Sequence, residues 1–107
     1  MRNPKQMRQG DVFIERVACA PDGIAPVERD NGRLILAYGE VTGHAHALIE
    51  DNADLFTEKN GTLYLKVPSG GIVRHEEHAA VTLAPGVYKI TRKREWTDAD
   101  EPRQVAD

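Results

Sequence analysis

Short runs of alternating apolar and polar residues, broken every few positions by glycine, proline or an Asn/Asp–Gly pair, fill this chain, and no helical period competes with them. Strands are predicted over residues 12–17, 33–38, 44–49, 54–57, 62–67, 72–75, 80–83 and 87–94. A short extended piece is expected at 24–27, inside a loop that carries Pro21, Asp22-Gly23, Pro26 and Asp30-Asn31-Gly32. Asn60-Gly61, between two alternating runs, signals a hairpin because both residues tolerate the left-handed backbone of a tight turn. Pro68-Ser69-Gly70-Gly71 and Ala84-Pro85-Gly86 read as further turns, as does Gln9-Gly10-Asp11. The expected fold is therefore all-β: a small single-domain barrel or sandwich of about seven to eight short antiparallel strands. Residues 1–8 read as a flexible N-terminal arm, 9–96 as one β-domain and 97–107 as a C-terminal tail. In that tail, Thr97 followed by Asp98, Asp100 and Glu101 looks like a helix start that Pro102 cuts to a turn.

Composition narrows the class without naming a function. The chain has 107 residues, enough for one modest core. Hydrophobic residues at 40% and charged residues at 29% are an ordinary globular mixture. A formal net charge of -3 gives no global attraction to nucleic acid. Cys19 is the single cysteine, so no intramolecular disulfide can form, which fits a reducing cytoplasm. No apolar run approaches the roughly 20 residues of a membrane-spanning helix. The basic start of the chain lacks the apolar stretch of a secretory leader, so a cytoplasmic location is expected.

The chemistry is concentrated in the histidines. All four fall into two tight pairs, His44/His46 and His75/His78. On a strand, residues two apart share a face, so His44 and His46 point the same way, and Glu50 has the same parity. The small Ala45 and Ala47 fall on the opposite face. A spacing of three does not put His75 and His78 on one strand face, so a turn must bring those rings together. Neutral imidazole suits zinc first, and also iron, nickel and copper. The expected donors of a shared divalent-metal site are His44, His46 and one or both of His75 and His78, with Glu50 as a candidate fourth ligand. Glu76 and Glu77 are candidates for orienting a ring N–H or for general-base work. Against this stands a bland reading in which His-x-His is a polar strand face and His-Glu-Glu-His a solvated turn.

The stretch from Gly39 through His44, His46 and Glu50 resembles the first cupin motif, a glycine followed by His-x-His and then a glutamate. That resemblance implies a β-barrel with His44, His46 and Glu50 on a metal. His75 and His78 precede Pro85-Gly86, whereas the second cupin motif has its histidine after such a turn. More broadly, three features resemble a group of small uncharacterised bacterial and phage proteins: the opening Arg8-Gln9-Gly10-Asp11-Val12, the central Gly43-His44-Ala45-His46, and the run from His75 through Pro85-Gly86 to Trp96. That likeness implies an origin and no activity.

Lys89, Arg92, Lys93 and Arg94, ending near Trp96, could contact phosphates, but an edge strand also carries such charges to block edge-to-edge pairing. Nucleic acid is accordingly not an expected partner, and no membrane is. Self-association stays open, as for any small sheet with exposed edges. Three function classes follow. The first is a divalent-metal-binding β-barrel protein, for which an enzyme of unspecified substrate is one option and not a requirement. The second is a binding or assembly module with a structural metal or none. The third is a nucleic-acid accessory protein.

Overall fold

The computed structural model describes residues 5–39 and 43–92. Ten strands run in order along them: β1 (Gln6–Gln9), β2 (Val12–Val17), β3 (Ala25–Pro26), β4 (Leu34–Tyr38), β5 (Ala45–Leu48), β6 (Asp54–Thr57), β7 (Leu63–Val67), β8 (Gly71–Val73), β9 (Val81–Leu83) and β10 (Gly86–Arg92). They make three antiparallel sheets. The largest has the order β1-β2-β10-β7-β6-β3, and β4-β5 and β8-β9 are two-stranded hairpins. The fold is all-β, as the alternation predicts. The described strands close no barrel.

The alternation works as expected inside the strands. In β2, Val12 and Ile14 are buried while Phe13 and Glu15 are only partly covered. Tyr88 and Ile90 do the same on β10. These inward residues meet Leu55, Leu65 and Val67 from the six-stranded sheet, together with Leu34, Leu36, Leu48, Val73 and Leu83 from the two hairpins, in one core. The hairpins thus lie over the sheet, and their apolar sides complete its core. Asn60-Gly61 does turn a hairpin, between β6 and β7, where Glu58 N–H donates to the Thr62 carbonyl.

Three expectations change. Residues 6–8, expected in a loose arm, are strand β1, paired residue for residue with β2 from Gln6↔Glu15 to Gln9↔Val12. Their polar sequence hides a pairing that is made by backbone groups. The strand count rises for the same reason, because β1 and the two-residue β3 join the predicted set. β10, expected as a charged edge, is internal, hydrogen-bonded to β2 on one side and β7 on the other. Lys93, Arg94, Trp96 and the tail with its helix-start signal lie outside the described residues. No helix among the described residues is long and apolar enough to cross a membrane.

Leu65 sits fully buried on β7 against β10. Leu65→Ala is expected to lower unfolding free energy by about 2–5 kcal/mol, through lost burial and the cavity left behind. Leu63, only partly buried at the rim of the core, should cost less when truncated. Urea denaturation of the two variants checks the difference.

Candidate metal centre

The site begins with one backbone contact. Ala47 on β5 and Arg74, just past β8, form an antiparallel bridge in which each N–H donates to the other's carbonyl, at 3.0 and 2.9 Å. Counting outward from that pair, His46 falls opposite His75, Ala45 opposite Glu76 and His44 opposite Glu77. In an antiparallel ladder the pair next to a doubly bonded one is the close pair, with side chains nearest each other. Each side-chain contact follows this register. The His46 and His75 ring centroids are 4.3 Å apart. Ala45 N–H donates to Glu76 Oε1 at 3.0 Å. His44 Nδ1 lies 3.6 Å from Glu77 Oε2. A turn after Arg74 then carries His78 back onto the group, 4.7 Å from the His75 ring and 5.9 Å from that of His46, while His44 meets His75 edge-on at 5.7 Å. All four histidines, some thirty positions apart as pairs, become neighbours.

They line one cavity of about 390 Å³, shared with Gly10, Asp11, Gly39, Glu77 and Arg92. Both glycines are required by close approach. A Cβ on Gly10, which has φ +61°, would sit 2.8 Å from His78 Nε2, and one on Gly39 would sit 3.0 Å from the His44 Cβ. Ala45 and Ala47 face away, as the alternation predicts, and line a second groove.

The ring nitrogens are not equivalent. Gln9 is buried, and its amide Nε2 donates to the carbonyls of Val73 and Ala79, both at 2.9 Å. With the amide hydrogens committed, Gln9 Oε1 must accept, so the His46 Nδ1 that lies 2.8 Å away carries the proton. The His46 Nε2 lone pair is then left facing the cavity, 3.9 Å from Asp11 Oδ1. Burial, followed by the nearby His75, pushes the His46 pKa down to about 4, with Asp11 opposing, so the ring is neutral at pH 7. Asp11 is meanwhile held by Arg92, Nη2 to Oδ2 at 3.3 Å. The Ala45 N–H holds the Glu76 carboxyl below the usual carboxylate range, with smaller help from His44 and His75. His75 Nδ1 accepts the Glu77 N–H at 3.0 Å, which puts the His75 proton on Nε2.

One triad of donor atoms falls within metal-sharing range among the described residues. One ligand atom each from His44, His75 and Glu76 lies within 4.8 Å of the others. Glu76, read from the sequence as an orienting or proton-handling group, is thus a candidate ligand. Glu50 is not brought to the histidines. β5 ends at Leu48, so the strand parity that placed Glu50 with His46 does not extend to it. Its Oε2 accepts the Ile72 N–H at 3.1 Å instead. Gln9 and Asp11 were missed. An amide carries no ligand signature, and both stand in a segment read as a turn. The usable signal was that a buried imidazole needs a fixed hydrogen-bond acceptor.

A histidine whose folded pKa is depressed favours the folded state above its unfolded value of about 6.5. That contribution is lost as pH falls through the folded value of about 4. The metal-free protein should therefore lose stability between these limits, and His46→Gln should flatten that slope. Gln9→Leu, which strands His46 Nδ1–H and two carbonyls, should cost about 1–3 kcal/mol at neutral pH. Urea midpoints measured across pH 4–7.5 test both.

No curated protein and no solved structure matches the chain. A family model does, over residues 8–93, from the end of β1 through the residue after β10, with every histidine and Gln9 inside the match. The chain belongs to that family, described as a domain of unknown function, DUF8820.

Proposed function

We propose that this domain binds a divalent metal ion, zinc before iron or nickel, through His44, His75 and Glu76, with His46 the next imidazole in reach. The supporting observation is that ligand atoms of these three residues lie within 4.8 Å of one another, His44 and His75 on the wall of a cavity lined by two more imidazoles and Glu76 in the adjoining groove. Tetrahedral zinc with bonds of roughly 2.1 Å sets its donors roughly 3.4 Å apart. The three side chains would draw together by on the order of 1 Å, and exposed Glu76 has room to do so. Two histidines and a glutamate are the donor set of open catalytic zinc sites, where the fourth position is left for water or substrate. A metal there would polarise a bound oxygen. Glu77, on the same cavity wall, is the carboxylate left to accept a proton. Metal-assisted hydrolysis is the reaction class that this arrangement suits.

A second reading has its own observation. While Glu77 N–H occupies His75 Nδ1 and the proton sits on Nε2, neither His75 nitrogen offers a lone pair. This favours a metal-free histidine cluster serving binding or assembly. Metal binding requires the His75–Glu77 bond to break, which frees Nδ1 directly or lets the ring proton shift there from Nε2.

Chelator-treated protein titrated with zinc chloride in a calorimeter separates the two. Expected are one zinc per chain and a thermal midpoint that rises with zinc, by the equivalent of about 2.7 kcal/mol when free zinc is 100 times Kd. The His44→Ala/His75→Ala variant should lose both effects, and Glu76→Gln should weaken binding at least tenfold. Absence of heat and of a midpoint shift in the parent protein would leave the metal-free reading.

A further inference from the structure

A second groove lies behind the histidines. Its cavity of about 270 Å³ is lined by Arg33, Ala45, Ala47, Ile49, Arg74, His75 and Glu76. The floor is made by Ala45 and Ala47, buried residues of β5 on the face opposite His46, and by Ile49, which is 60% exposed and, with Tyr38, is one of two exposed large hydrophobics among the described residues. Arg33, which bridges to Asp30 just before β4, and Arg74, which bridges to Ala47, bring two guanidinium groups to this floor.

Those two arginines differ from the other described ones. Arg29 donates to four backbone carbonyls, of Gly32, Glu50, Asp51 and Ala53. Arg16 donates to the Pro85 carbonyl, Arg92 pairs with Asp11, and Arg8 lies over the Phe13 ring. Among the described residues, Arg33 and Arg74 are the arginines whose guanidinium groups take no hydrogen-bond, ion-pair or ring partner. A guanidinium offers a planar fork of donors that matches a carboxylate. Two unpaired forks beside a small apolar floor are complementary to a small anion with a short hydrocarbon body.

We propose that this groove binds a short-chain aliphatic carboxylate. The head group sits on Arg33 and Arg74, and the chain lies over Ala45, Ala47 and Ile49. His75 and Glu76 belong both to this groove and to the donor triad. The bound carboxylate is then the acid that hydrolysis of an acyl ester or amide at the centre would release, an assignment that rests on the metal reading. Carboxylate binding itself does not, because the arginines and the apolar floor are present without metal.

The test uses sodium hexanoate as probe, followed by methyl and guanidinium chemical shifts of the full chain, metal-free and zinc-loaded. Hexanoate is expected to shift the Ala45 and Ala47 methyls and the Ile49 δ-methyl in metal-free protein. Acetate, lacking the hydrocarbon body, should bind at least fivefold more weakly, and hexylamine should not bind at this site. Arg33→Gln/Arg74→Gln should weaken hexanoate at least tenfold while the backbone amide spectrum away from the groove stays unchanged, and Arg33→Lys/Arg74→Lys should recover part of the loss. Hexanoate that leaves these methyls unmoved, or that binds the Gln double variant as tightly as the parent, overturns the proposal. So does acetate binding as tightly as hexanoate. A protein that binds hexanoate but no zinc supports the groove and refutes the metal reading alone. Zinc binding without hexanoate does the reverse.

Discussion

Two reciprocal backbone hydrogen bonds between Ala47 and Arg74 hold the candidate site of this molecule in register. They join hairpins that otherwise belong to separate sheets, β4-β5 and β8-β9. A slip of one residue would turn every side chain on one partner to the other face. His75 would then leave His46, and Glu76 would leave the Ala45 N–H. The two surfaces of the site follow from the same period of two. Histidines line the cavity on one side of β5, and alanines floor the arginine groove on the other.

The histidine side of that arrangement is chemically expensive. A buried imidazole must be neutral or paired, because burial disfavours its charged form. The fold meets that demand with Gln9, an amide from the end of β1 whose three hydrogen bonds tie β1 to Val73, to the Ala79 carbonyl and to the His46 ring. The polar first strand thus has a purpose that its composition does not advertise. It carries the amide that fixes the His46 ring, and Gly10, immediately after it, lets the backbone pass within reach of His46 and His78. Asp11, next in the chain, links the cavity to Arg92 at the end of the central strand β10.

Much of this was legible in the residues. The His44/His46 pair on one face, the small alanines opposite, the hairpin at Asn60-Gly61 and the all-β class follow from local period and turn chemistry, which one sequence displays in full. What was not legible depends on partners distant in the chain. β1 has no apolar alternation because backbone pairing with β2 defines it. β10 carries lysine and arginine yet lies between two strands, because its neighbours are set by topology and not by its own charges. Glu50 has the right parity for a ligand, but the strand stops two residues short of it, and its carboxylate turns to the Ile72 N–H. Conversely, Glu76 looked like a supporting group and is placed with His44 and His75 only by a bridge across some thirty residues.

The most direct test of this arrangement is the ring-to-ring nuclear Overhauser contact between His46 and His75 in metal-free protein, read together with the nitrogen shifts of the His46 ring. With centroids 4.3 Å apart and Gln9 fixing the proton, a strong cross-peak is expected, along with a single Nδ1–H tautomer at His46 that persists well below pH 6. A His46 ring with no contact to His75, averaging its tautomers and titrating near the ordinary value of about 6.5, would contradict it.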